Sequence, residues 1–251
     1  MKIAVTGKGG VGKTTVSAVL ARLYAEEGKK VFAVDVDPDA NLGLALGFPE
    51  EKLESIIPIS KMRKLVEERT GADKSNTFYK INPKVDDIPE TYGKEYNGVR
   101  LLLLGTVETA GGGCVCPENV MLRRIINNLV LHRDDIVILD MEAGIEHFGR
   151  GLDDEVDVIL MVCDPSYESV QLAAKIRELG EKLQKPVYYV LNKTDETSRE
   201  VLTQAIQNSQ RILAVLPAEP ELTAAALLGR KLVWESSVMD RAAEKICGMQ
   251  A

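Results

Sequence analysis

The chain has 251 residues, a formal net charge of −7, 45% hydrophobic residues and 27% charged residues. That length suits one large α/β domain or two small ones, and the acidic balance argues against a general nucleic-acid binder. No apolar run approaches the ~20 residues of a membrane-spanning helix, and the first residues run straight into an apolar stretch, so neither a membrane span nor a signal peptide is expected.

In chain order, Ile3 to Thr6 reads as a short buried strand that opens into a glycine-rich loop. A helix is expected from Thr14 to Gly28, with Val16, Val19, Leu20 and Leu23 on one face. Val31 to Asp35 is a second strand, followed by the acidic loop Asp37-Pro38-Asp39-Ala40-Asn41. Strand, helix, strand with continuous apolar strands signals a parallel sheet covered on both faces. From about Phe48 to Gly98 the periodicity is weak. A helix is expected at Ile59 to Thr70, and the polar, turn-rich stretch 71–98 reads as a surface excursion. Further strands are expected at Val99–Leu104, Ile136–Leu139, Val156–Val162, Val187–Leu191 and Arg211–Leu216. Helices are expected at Pro117–His132, Tyr167–Leu183 and Ser198–Gln207, with a largely helical final third. The pattern describes a single-domain α/β fold over 1–251, a mostly parallel sheet flanked by helices, with one excursion at about 48–98.

The residues that carry chemistry begin at Gly7. Gly7-Lys8-Gly9-Gly10-Val11-Gly12-Lys13-Thr14 satisfies the phosphate-loop pattern G-x-x-x-x-G-K-[ST] between a strand and a helix. The backbone N–H groups of Gly9, Gly10, Val11 and Gly12 would turn inward around an anion at the positive end of the helix. Lys13 would bridge β- and γ-phosphate oxygens, Thr14 would ligand Mg²⁺, and Thr15 would contact the α-phosphate. Lys8 is a second lysine that the ordinary pattern does not require, placed to reach a partner's phosphates as easily as its own. Asp140, at a strand end, suits a Mg²⁺-bound water, and Gly144 could turn its N–H to the γ-phosphate. Asp37 is read as orienting the attacking water, against the plainer reading of an acidic turn.

Asn192-Lys193-Thr194-Asp195 matches the N-K-x-D pattern of guanine pockets, in which Asp195 would accept from guanine. Against that, Asn192 could pair with adenine, with backbone contacts from Leu216-Pro217-Ala218-Glu219. ATP and GTP both stand at this point.

Four cysteines in this length do not read as a disulfide framework, and a reduced, cytoplasmic protein is the expectation. Cys163 and Cys247 suit small buried positions. Cys114 and Cys116 follow three glycines, and two thiolates there make half of a soft-metal site. A second copy across a two-fold axis would supply the other half. His132 and His147 fit surface or helix-end positions better than ligand roles.

The run Lys8 to Thr15 (K-G-G-V-G-K-T-T) resembles the signature of the deviant phosphate-loop ATPase group, which includes the nitrogenase iron protein, MinD and the arsenite and tail-anchored-protein ATPases. The resemblance implies an Mg²⁺-dependent ATPase working as a homodimer. It gives Lys8 the phosphates of the opposite subunit, Asp37 water activation and Asp140 the Mg²⁺ strand end. It also gives Asn192, Pro217 and Glu219 contacts with the adenine. Unlike the iron protein, the stretch Glu142 to Gly151 has no second cluster cysteine. The C-x-C pair with Asp140-Met141-Glu142-Ala143-Gly144 looks like the nickel-insertion branch of the group, which serves carbon monoxide dehydrogenase. That implies Ni²⁺ (Zn²⁺ in competition) held by Cys114 and Cys116 of both subunits. Rival readings are a membrane- or DNA-positioning switch, a [4Fe–4S] electron-transfer ATPase and a GTP-dependent metallochaperone. The expectation is a protein whose partners are itself and that dehydrogenase, with no nucleic acid and no membrane.

Overall fold

The computed structural model describes residues 1–37, 39–72, 79–105, 117–129, 135–141, 156–228, 230 and 236–248. The first half runs β1 (Lys2–Gly7), α1 (Lys13–Glu26), β2 (Val31–Asp35), α2 (Leu42–Leu46), α3 (Glu50–Glu54), α4 (Arg63–Thr70), α5 (Ile88–Tyr92), β3 (Lys94–Tyr96) and β4 (Val99–Leu103). The second half runs α6 (Pro117–Asn128), β5 (Ile136–Asp140), β6 (Val158–Cys163), α7 (Tyr167–Leu183), β7 (Val187–Thr194), α8 (Glu196–Ile206), β8 (Ile212–Pro217), α9 (Pro220–Leu227) and α10 (Ser237–Gly248).

The strands form one eight-stranded sheet in the order β3-β4-β2-β5-β1-β6-β7-β8. Every pairing is parallel except β3 with β4, which closes one edge antiparallel. Alternate residues of each strand serve opposite faces. Ile3, Val5, Val31, Ile138 and Leu160 join Leu20 and Tyr24 of α1 and Met239 and Ile246 of α10 in one core. Ala4, Phe32, Val34, Leu139 and Met161 join Ile125 of α6, Ile176 of α7 and Leu202 of α8 in the other. Strands buried on both faces are the reason the sequence shows unbroken apolar runs rather than alternation. Tyr24 locks the two outer helices on one face, its buried hydroxyl donating to the Ala243 carbonyl at 3.0 Å.

The fold class is the one expected, an α/β domain with a mostly parallel sheet and helices on both faces. Several boundaries differ. The expected helix at 59–70 is a 3₁₀ turn (Ile59–Lys61) followed by α4. Within the stretch read as a surface excursion, Leu65, Val66, Val85 and Ile88 are buried in the core, and α5 and β3 add a short helix and the edge strand. β7 runs to Thr194 rather than stopping at Leu191, because Thr194 Oγ1 donates to the Leu216 carbonyl at 3.0 Å and ties the tips of β7 and β8 together. α8 starts at Glu196 rather than Ser198, because Asp195 and Ser198 form a reciprocal capping box.

Candidate functional site

The carboxyl ends of β1, β2 and β5 converge on one edge of the sheet, the place where open α/β folds bind ligands. The loop between β1 and α1 is shaped by glycines. Gly12 adopts φ 99°, a left-handed conformation, and a Cβ there would collide with the Asn192 amide. α1 starts immediately after it. Among the described residues no side chain caps its N-terminus and no acid stands in its first turn. A 14-residue helix with no side-chain cap at its start, and the buried Lys13 as its first residue, could hold an anion at that end. Lys13 Nζ donates to the Lys8 carbonyl at 3.3 Å, which uses one of its three donors. Thr15 is half-buried on the same turn.

Beneath that turn lies Asp140, 1% exposed at the end of β5. Its Oδ1 accepts from Ser17 Oγ at 3.0 Å, and the Thr14 hydroxyl hydrogen-bonds the same carboxyl. Burial pushes the Asp140 carboxyl up to about 6, although these hydrogen bonds and the Lys13 charge act against it. A threonine hydroxyl beside a strand-end carboxylate is the hard oxygen set that Mg²⁺ takes alongside phosphates. Asp35 stands directly across the sheet register from Asp140 and is equally buried. Its Oδ1 accepts from Asp37 N–H at 3.0 Å and its Oδ2 from Leu42 N–H at 2.9 Å, so it fixes both ends of the acidic loop. Burial, then repulsion from Asp140, raises it to about 7. The half-buried Asp37 is turned back on the loop, its Oδ1 accepting from Asp39 N–H at 3.0 Å.

Lys8 points to the other side of the loop. Its Nζ donates to Ser166 Oγ at 2.9 Å and lies 3.4 Å from Asp164 Oδ2. The tip of β7 grips the loop from outside. Asn192 Nδ2 donates to the Val11 carbonyl at 2.8 Å and Lys193 Nζ to the Gly10 carbonyl at 2.7 Å, with Lys193 held at φ 59°. Asp195 is fully exposed and its Oδ1 accepts from Ser198 N–H and Ser198 Oγ, so it caps α8. Pro217 ends β8 in register with Thr194, and the Glu219 carbonyl accepts from Thr223 N–H at the start of α9.

The structure thus brings Lys13, Thr14 and Asp140 together around Ser17, with Asp37 held beside them through Asp35. It seats Asn192 against the loop and places Lys8 apart, on Asp164 and Ser166 in the turn between β6 and α7. Cys114 and Cys116, Gly144, His132 and His147 lie outside the described residues. Cys163 is buried and Cys247 half-buried, both as free thiols. Ser17, Asp35, Asp164 and Ser166 lie outside the sequence motifs, and Lys193 lies within N-K-x-D but takes a role on the loop that the pattern does not give it. The available signal for Ser17 and Asp35 was a polar residue in an otherwise apolar phase of α1 and at the end of β2. Among the described residues no helix is long and apolar enough to cross a membrane.

A family model described as the CobQ/CobB/MinD/ParA nucleotide binding domain matches residues 2–233. The chain is 50% identical over 195 residues, 77% of its length and 74% of the relative's, to the carbon monoxide dehydrogenase accessory protein CooC of Rhodospirillum rubrum. It is 43% identical over 242 residues, 94% of its length and 92% of the relative's, to an uncharacterized ATP-binding protein of Methanocaldococcus jannaschii. Among solved structures, MinD of Pyrococcus horikoshii complexed with Mg-ADP superposes with a TM-score of 0.67 at 23% identity, covering 100% of this chain and 98% of that one. A chain of the MinC:MinD cell division protein complex of Aquifex aeolicus gives 0.69 at 21% identity, covering 98% and 95%.

Proposed function

The chain belongs to the CobQ/CobB/MinD/ParA nucleotide-binding family, and from that premise we propose that it is a dimeric Mg²⁺-dependent ATPase that delivers nickel to carbon monoxide dehydrogenase. The observation that carries the metal half of this reading is the 50% identity with the accessory protein of that dehydrogenase, in a chain that carries the C-x-C pair. The observation that supports the nucleotide half is the uncapped start of α1 over Lys13, Thr14 and the buried Asp140.

In this reading the N–H groups of residues 9–14 and Lys13 would hold the phosphates, and the Thr14 hydroxyl and Asp140 would hold Mg²⁺, whose charge would offset that of the phosphates. Phosphoryl transfer then asks the protein mainly for positioning and electrostatics. Asp37 must leave Asp39 N–H to orient the attacking water. Asn192 and the Pro217–Glu219 loop take the adenine side, and the use of Asp195 as a helix cap supports adenine over guanine. Lys8 of each copy reaches the phosphates bound by the other, so ATP closes the dimer. Closure brings Cys114 and Cys116 of both copies together around one nickel ion, and hydrolysis releases it. Zn²⁺ would compete, since thiolates take both. The reading is of a cytoplasmic protein of one domain, with no role for nucleic acid or membrane.

The test is the full chain with Cys114→Ala and Cys116→Ala together. Nickel binding by equilibrium dialysis should be lost and Mg-ATP binding kept. Nickel binding that survives the double substitution sinks the C-x-C site.

A further inference from the structure

The turn Ile59–Lys61 and the start of α4 wall an open cavity of about 500 Å³ on the protein surface. Its lining holds three exposed cations, Lys61, Arg63 and Lys64, against one acid, Glu68. Among the described residues none of the three has an ion-pair partner. Arg69 on the same helix does have one. It grips Asp87 with both terminal nitrogens, at 3.0 and 2.6 Å, which engages the acid nearest to it. The half-buried Met62 and Tyr92 add apolar surface to the lining. α4 itself opposes this collection of charge. It starts after Met62, whose side chain makes no cap hydrogen bond, and its first turn contains Arg63 and Lys64 but no acid. Cations at the positive end of a helix work against its dipole, and an anion seated among them offsets that cost. The cluster also runs against the overall balance of a chain with net charge −7.

The cavity is tied to both ends of the segment that carries the C-x-C pair. Ser60 N–H donates to the Leu104 carbonyl at 3.0 Å, and a Cβ on Gly105 would collide with Ser60 Oγ, so the turn lies tight against the end of β4. On its other side the turn and α4 pack on α6, with Ile59, Leu65 and Val66 sharing a core with Met121 and Ile125. Residues 106–116, with Cys114 and Cys116, join β4 to α6 in sequence.

We propose that this cavity docks an acidic, partly apolar peptide segment of the protein that receives the metal. Carboxylates of that segment pair with Lys61, Arg63 and Lys64, and its apolar side chains pack on Met62 and Tyr92. Glu68 and the acidic balance of the whole chain disfavour a uniform polyanion such as nucleic acid, whereas a peptide can set carboxylates at the cations and none at Glu68. A partner held here stands on the two elements from which the cysteine segment departs and to which it returns. The source of the peptide rests on the reading of the chain as a nickel-delivery protein; the cavity and its charges do not.

The test is biolayer interferometry on the full chain in Mg-ATP, wild type against the triple variant Lys61→Glu, Arg63→Glu, Lys64→Glu. Glutamates at the start of α4 agree with the helix dipole, so the variant should fold and keep its Mg-ADP affinity. The analytes are nickel-free carbon monoxide dehydrogenase, a synthetic peptide of repeating Glu-Leu-Tyr, its Gln-for-Glu counterpart, and phosphatidylserine vesicles. The wild type should bind the dehydrogenase and the Glu peptide, more weakly as salt rises. The triple variant should bind each at least about tenfold more weakly, as exposed attractions become repulsions. Equal binding by wild type and variant, equal binding of the Glu and Gln peptides, or a wild type that binds neither dehydrogenase nor peptide overturns the site. Vesicles taken up by a wild type that ignores the peptide overturn it in favour of a lipid surface. A wild type that binds the Glu peptide through these charges and ignores the dehydrogenase overturns instead the delivery reading, so the two failures are distinguishable.

Discussion

Asp35 and Asp140 lie side by side at the ends of β2 and β5, both 1% exposed, and both are pushed up from the usual carboxylate range, to about 7 and about 6. A carboxyl raised in the folded state binds its proton more tightly there than in the unfolded chain. Its contribution to stability is therefore fully present below the ordinary value near 3.8 and is lost as pH rises through the folded value. In the nucleotide-free protein the melting temperature should accordingly rise as pH falls from 8 to 6. Asp35→Asn, which cannot titrate, should flatten that rise. Thermal melts across this range check it, and an unchanged slope in the variant would show that another group sets the dependence. The same pair explains a limit of reading residues one at a time. Asp140 is visible as an acid at a strand end, but that Asp35 neighbours it depends on β5 inserting between β1 and β2, which no local pattern reveals.

At the scale of elements, β7 does more than complete the sheet. Its tip carries Asn192 and Lys193, which hold the Val11 and Gly10 carbonyls from outside the loop. A brace of this kind acts on the loop and therefore on phosphates of any nucleotide. Lys193→Met is expected to weaken Mg-ADP and inorganic pyrophosphate alike, by about three- to tenfold, the ~1 kcal/mol of one hydrogen bond from an exposed side chain. Isothermal titration with both ligands separates this from a contact to the base, which would weaken ADP alone. The N-K-x-D pattern marks this tip, and in the structure its lysine holds the loop and its aspartate caps α8. Its aspartate is legible in hindsight as a helix start, since serine follows three residues later and the two cap each other. Elements were legible where burial imposes a pattern: α7 begins and ends at the expected Tyr167 and Leu183, and the buried parallel strands stand within a few residues of their apolar runs. They were not legible where elements are three to five residues long. α2, α3, α5 and β3 are too short to complete a period and are held by packing on the rest of the fold.

Across the whole molecule, two features point toward a second copy. Lys8 stands in the phosphate loop as a lysine the ordinary pattern does not require, held by Asp164 and Ser166 between β6 and α7, and the chain carries one C-x-C pair where a closed thiolate site takes four ligands. The phosphate-loop pattern and the sheet could both be read from the sequence, the loop because its motif has a fixed spacing and the sheet because its buried strands are continuous apolar runs. The contact of Lys8 with Asp164 and Ser166 could not, because it joins the turns that follow β1 and β6, which only the fold makes neighbours. The proposed role of ATP is to join two half metal sites. The direct measurement is the nickel content of the full chain fractionated by sedimentation with and without Mg-ATP. The account predicts one nickel ion per two chains, confined to the species that sediments as a dimer in Mg-ATP. One nickel ion per chain on a monomer, or an ATP-bound dimer that takes up none, would contradict it.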